Sequence, residues 1–211
     1  MQPEEIEKKS FDIIAAESGD HGLAPEAWAV VSRMIHTSAD FDYLQTVRIH
    51  PRAIEAGIEA IRAGFPVFTD TNMALAGIRK HAASRFGCRL RCLMAEPAVE
   101  KIAAGRGVTR AAAAVDALAG EMAGGIYVVG NAPTALLRLI SHIRAGSAAP
   151  ALVVGLPVGF VNAAESKNEL AGMDLPWITN VGRKGGSNVA AAVVNSLILM
   201  TAGRVDEKSR A

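Results

Sequence analysis

Ile126-Tyr127-Val128-Val129-Gly130-Asn131-Ala132-Pro133-Thr134-Ala135-Leu136 decides how the rest of the chain is read. Four apolar residues rich in β-formers run into a glycine, and the proline that follows opens a helical segment reaching Ala145. A second apolar run, Ala151–Gly155, comes next. Strands that are apolar throughout, rather than alternating, are buried on both faces, as in a parallel sheet covered by helices.

The same rhythm extends in both directions. Phe65–Thr69 and Leu90–Met94 precede these two strand candidates and Trp177–Val181 follows them. Helical candidates lie between and after them at Met73–Arg85, Thr109–Met122, Ala163–Ala171 and Ser187–Thr201. Ahead of the first strand stand three more helices: Pro3–Ser18, one from Pro25 to near His36, and one after Pro51 that ends at Gly64. The expectation is an α/β three-layer sandwich, with a mostly parallel sheet of about five strands, helices on both faces and extra N-terminal helices. No linker and no internal repeat divides residues 1–211, so a single domain is expected, with a disordered tail from about residue 203.

Composition narrows the function classes. The 211 residues carry 22 Lys and Arg against 21 Asp and Glu, and half are hydrophobic. Such a chain is not intrinsically disordered, and it lacks the basic excess of a nucleic-acid partner. Its longest apolar stretch, Val189–Ala202, contains Asn195, Ser196 and Thr201 and falls short of the roughly 20 residues of a spanning helix. No membrane partner is expected, and the N-terminus has no basic-then-apolar leader pattern. Cys88 and Cys92, four apart on a strand, would sit roughly 13 Å from each other, too far to bridge. Reduced thiols point to the cytoplasm.

In an open parallel sheet, ligands bind beyond the carboxyl ends of the strands. The segments there are Thr69–Met73, Gly130–Thr134, Gly155–Lys167 and Gly182–Asn188, rich in glycine, small hydroxyls and amides. Loops of this kind present free backbone N–H groups to phosphate or carboxylate, and Arg183 and Lys184 add charge. Tight strand-to-helix turns need glycine in any case. Neither nucleotide fingerprint is present, nor a G-x-S-x-G elbow. The five histidines show no metal-ligand spacing, so no metal site is expected. His81 and His142 lie in charged helical stretches and read as solvated; His21 belongs to a turn and His50 to a helix entry. His36 follows the apolar face Trp28–Ile35 and opens Thr37-Ser38-Ala39-Asp40. A helix C-terminus favours the imidazolium, which makes His36 a candidate proton donor, or else an ordinary helix-capping histidine.

Arg33-Met34-Ile35-His36-Thr37, Thr69-Asp70-Thr71-Asn72-Met73, Gly130-Asn131-Ala132-Pro133-Thr134-Ala135-Leu136, Gly155-Leu156-Pro157-Val158-Gly159-Phe160-Val161-Asn162-Ala163-Ala164-Glu165-Ser166-Lys167 and Gly182-Arg183-Lys184-Gly185-Gly186-Ser187 together resemble the precorrin-8X methylmutase family, including its cobalt-precorrin-8 branch. The similarity runs from about Ile6 to Ala202 and takes in Ser10-Phe11 and Thr109-Arg110. The resemblance implies an isomerase of cobalamin biosynthesis that moves a methyl group from C11 to C12 of a corrinoid. It also implies no external methyl donor or redox cofactor, and a homodimer with active sites near the subunit interface. It places the family's proton-transferring histidine on His36 and its substrate-contacting serine on Ser10, and it brings Arg110 near the substrate carboxylates. A small residue allowing close helix packing is the other reading of Ser10. The remaining expected substrate contacts are Thr37, Asp70, Asn131, Lys167, Arg183, Lys184 and Ser187. The alternative to catalysis is a corrinoid carrier with the same cleft and no chemistry.

Overall fold

The structure is a computed structural model that describes residues 2–208. Two helices come first, α1 (Pro3–Ser18) and α2 (Pro25–Ser38), each opened by a proline in its first turn. A single turn, α3 (Tyr43–Thr46), leads into β1 (Val47–Ile49) and then α4 (Ala53–Arg62). The alternating part follows as β2 (Val67–Thr69), α5 (Asn72–Gly77), α6 (Lys80–Ser84), β3 (Leu90–Arg91), α7 (Pro97–Arg106) and α8 (Arg110–Leu118). It continues as β4 (Ile126–Val129), α9 (Pro133–Arg144), β5 (Leu152–Gly155), α10 (Ala163–Ala171), β6 (Trp177–Asn180) and α11 (Ser187–Lys208).

The strands form one sheet in the order β1-β6-β5-β4-β2-β3. All five expected strands are present and mutually parallel, in register Val67↔Ile126, Ile126↔Leu152 and Val153↔Trp177. The sixth, β1, was not expected. It closes one edge antiparallel to β6, pairing Arg48 with Thr179. The chain steps from β2 outward to β3, then back across to β4, so the strand order reverses between β2 and β4. A ligand crevice opens at such a reversal.

Alternation along each strand divides the core in two. Ile126 and Val128 join Val67, Leu152, Val154 and Ile178 under α2, α4 and α11. Tyr127 and Val129 join Phe68, Val153 and Trp177 under α8, α9 and α10. Each such aliphatic side chain, fully buried, contributes about 1.5–3 kcal/mol. Three layers result, as expected, with α11 innermost on its face.

Several boundaries differ from expectation. The helix foreseen over Met73–Arg85 breaks into α5 and α6, because the Arg79 N–H donates to Asn195 Oδ1 instead of continuing the ladder. Beyond α8 the chain tightens into a 3-10 turn at Ala119–Glu121. Helix α11 runs on through Lys208, past the point near residue 203 where disorder was expected; the rest of that expectation falls on residues 209–211, which lie outside the described residues. Both cysteines are free. Among the described residues no helix is long and apolar enough to cross a membrane.

Candidate functional site

His36 lies in the last turn of α2, exposed to solvent. The helix ends at Ala39, whose left-handed φ of 53° is unusual for a residue with a side chain; its N–H still reaches Ile35 O at 2.7 Å. Strain of this kind persists where the surroundings fix it, and here they do. The next residue, Asp40, accepts a hydrogen bond from Lys184 Nζ at 2.7 Å, and Asp42 accepts another from the same ammonium at 2.6 Å. The Lys184 hydrogen bond holds the Asp40 carboxyl below its ordinary value. Two carboxylates correspondingly raise Lys184.

The His36 imidazole stacks on Phe11 of α1, with centroids 4.8 Å apart and planes 12° from parallel. The Arg33 guanidinium also lies over that ring, 5.0 Å from its centre, and pairs with Glu7 at 3.2 Å. His36 borders two clefts. One, of about 280 Å³, is shared with Ser10, Glu17 and Phe41; the other, of about 170 Å³, with Thr37, Arg33, Asn188 and Asn195. The structure therefore brings Ser10, His36 and Thr37 together. The Ser10 hydroxyl bonds back to Ile6 O within its own helix at 2.9 Å. Thr37 is exposed, and its carbonyl accepts from Asn188 Nδ2 at 3.4 Å.

The loops at the carboxyl edge of the sheet are locked backbone to backbone. A Cβ on Gly130 would stand 2.6 Å from Ser187 Cα, and one on Gly185 would fall on the Leu156 carbonyl oxygen. Neither position tolerates a side chain without moving a neighbouring loop. Ser187 is buried and its hydroxyl meets Thr71 Oγ1 at 2.8 Å. Asp70 fills the crevice at the strand-order reversal: Oδ1 accepts from Gly130 N at 2.9 Å, and Oδ2 from Asn131 N at 2.9 Å and Ala132 N at 2.7 Å. The anion site foreseen at the start of α9 is thus occupied by the protein's own carboxylate, 1% exposed. Burial pushes Asp70 up and the three amides oppose that shift. Asn131 itself is exposed. Arg110, also exposed, starts α8, whose cap Thr109 touches Thr134 of α9 through their hydroxyls at 2.9 Å.

Lys167, expected as a substrate contact, is instead enclosed by the protein. It is 1% exposed, and its ammonium donates to Asn180 Oδ1 at 3.0 Å and Lys184 O at 2.6 Å, bracing the loop after β6. Burial lowers its pKa from 10.5 to about 8. The folded state releases this proton first, so between roughly pH 8 and 10.5 the unfolded chain binds more protons and stability rises with pH. Against a Lys167→Met variant, urea unfolding should show wild type gaining on the order of 2–3 kcal/mol across that window. A difference that does not change with pH would contradict this.

His142, read as solvated from the sequence, is a partner in a cluster. Its Nε2 meets Asp116 Oδ1 and its Nδ1 meets Ser147 Oγ, both at 2.7 Å. The serine–histidine–carboxylate line lacks an oxyanion site: the Ser147 and Ala148 amides both donate to His142 O. Asp116 is shared with Arg106 and Arg138, so the cluster ties α7, α8 and α9 together. Among the described residues no group of three or more His, Cys, Asp or Glu side chains could hold a metal ion.

A family model described as CbiC, precorrin-8X methylmutase, matches residues 5–200. The chain belongs to this family. It is 46% identical over 204 residues to a cobalt-precorrin-8 methylmutase of Salmonella typhimurium, covering 94% of this chain and 95% of that one. To the cobalt-precorrin-8 methylmutase of Priestia megaterium it is 45% identical over 200 residues, covering 95% and 89%. The crystal structure of a precorrin-8X methylmutase from Thermus thermophilus superposes with a TM-score of 0.89 at 44% identity, over 95% of this chain and 97% of that one. Membership of the methylmutase family makes the chain an isomerase of cobalamin biosynthesis.

Proximity in space adds residues that sequence spacing did not single out. Phe11 supports the imidazole, Arg33 shares the smaller cleft with it, and Asp40 anchors the chain just past it. The sequence signal for Phe11 was its place beside Ser10; for Asp40 it was the turn that follows the helix.

Proposed function

We propose that the chain moves the methyl group from C11 to C12 of precorrin-8X or of cobalt-precorrin-8, giving hydrogenobyrinic acid or its cobalt form, with His36 as proton donor and acceptor. The observation that carries this reading is the place of His36: exposed, stacked, at a helix end, and bordering two clefts beside the carboxyl edge of the sheet. The imidazolium gives a proton to the conjugated ring and leaves it electron-poor. The methyl group migrates with its bonding electrons to the neighbouring carbon, and the proton released as conjugation is restored returns to His36. The methyl group never leaves the substrate, so no nucleophile or external donor takes part. Proton transfer of this kind is worth about 10²–10⁴-fold in rate; holding the ring in its reactive shape supplies the rest.

Ser10, Thr37, Arg110, Asn131 and Arg183 are the proposed contacts to the macrocycle and its carboxylates, all of them at least partly exposed. Asp70, Lys167, Lys184 and Ser187 shape the site from within, since each already has internal partners. The clefts at His36 lie at or below the lower end of the roughly 300–1,000 Å³ usual for ligand sites. A second copy supplies the missing walls in the homodimer we propose. The cytoplasm suits two free thiols.

Incubation with precorrin-8X and cobalt-precorrin-8 side by side, followed by visible absorbance, tests the reading. Time-dependent conversion of either spectrum is expected. A shift on mixing that does not progress with time would make the chain a carrier instead.

A further inference from the structure

The loop between β5 and α10 carries three of its apolar side chains into solvent. Val158 is 42% exposed, Phe160 84% and Val161 77%. The conformation that presents them is fixed. Gly159 has φ +145° and Asn162 φ +60°, so the chain turns through the left-handed half of the map on both sides of Phe160 and Val161. The Gly159 N–H donates to Arg183 O at 3.2 Å, joining this loop to the one after β6.

Across that join, the Arg183 guanidinium lies over the Phe160 ring, Cζ 5.6 Å from its centre, within range of a cation–π contact. A flat aromatic face and a fork of five N–H donors therefore stand side by side, both open to solvent. A ligand that satisfies both is flat and conjugated over one stretch and carries a carboxylate at its rim. The pair is also tied to the imidazole segment: Lys184, next to Arg183, holds Asp40 and Asp42.

We propose that Phe160 is a specificity-determining contact for the macrocycle, its ring stacking on the conjugated face while the Arg183 beside it takes a rim carboxylate. This rests on the corrinoid reading above. It adds a selection rule: a flat conjugated ring is held, and a flexible or saturated one bearing the same carboxylates is not.

Titration of the full-length chain with hydrogenobyrinic acid, followed by visible absorbance, tests it, with KM for precorrin-8X read alongside. Phe160 is exposed, so its variants should keep the wild-type circular dichroism. Phe160→Ala is expected to weaken binding about tenfold and Phe160→Trp to hold it within about threefold of wild type. If wild type neither binds the acid nor converts precorrin-8X, the corrinoid reading fails and this inference falls with it. If wild type does either, the inference alone is overturned by equal affinities for wild type and Phe160→Ala, or by a Phe160→Trp as weak as alanine. An alanine variant that loses its oligomeric state with affinity unchanged overturns it too, because a second copy is then what covers the loop.

Discussion

His36→Ala should lower kcat for precorrin-8X by about 10²–10⁴-fold, while hydrogenobyrinic acid should still bind within a few-fold of wild type. The split follows from where the imidazole stands. It borders both clefts, yet the groups proposed to hold the macrocycle belong to other elements: Ser10 on α1, Arg110 on α8, Asn131 before α9 and Arg183 after β6. Removing the ring deletes the proposed proton carrier and leaves those proposed contacts in place. His36→Asn separates shape from chemistry, since its amide fills much of the same space and transfers no proton near neutral pH; it should be as inactive as alanine. Stopped-flow turnover and an equilibrium titration measure the two quantities. A variant that turns over at the wild-type rate removes His36 from the mechanism.

The largest stability effect belongs to Asp70. Its carboxylate answers three consecutive backbone amides at the strand-order reversal. Cut back to alanine, residue 70 no longer offers these amides an acceptor. Orphaned buried donors cost about 1–3 kcal/mol each, and the amide of Gly130 is fully enclosed. Part of the loss is returned, because a buried carboxylate with a raised pKa is itself costly. Asp70→Ala should lose about 3 kcal/mol, seen as a fall in Tm of about 6–12 °C. Asp70→Asn keeps an acceptor for Asn131 and Ala132 but turns its NH2 toward the Gly130 N–H, so it should fall in between. An alanine variant that melts with wild type would mean that water or a rearranged loop satisfies those amides.

The layered fold was legible because its strands are uninterrupted apolar runs, and a run of that kind has few other places to go than the middle of a covered sheet. Strand β1 escaped notice for the opposite reason. Val47-Arg48-Ile49 is three residues long and has an exposed arginine at its centre, so its pairing depends on β6, far away in sequence. Helix α7 carries no continuous apolar stripe, and the break between α5 and α6 depends on Asn195 of α11. Of the candidate site, only positions along the fold were legible, not roles. His36 stood out by its place at a helix end. Lys167 is expected from the sequence as a substrate contact, yet its spacing holds the correction: Ala163, Ser166, Lys167 and Leu170 share one face of α10, and all four are buried. Lys184 gave no such signal, because Asp40 and Asp42 lie more than a hundred residues away along the chain.

Both border strands are stubs. Arg91 ends a two-residue β3 at one side, and β1 spans three residues at the other. Unpaired N–H and C=O groups along a border are what recruits a foreign strand and seeds aggregates, and short borders offer too few of them to hold one. Short borders therefore disfavour growth of this sheet by strand addition. A partly unfolded molecule that keeps its sheet thus offers only a short template to a foreign strand.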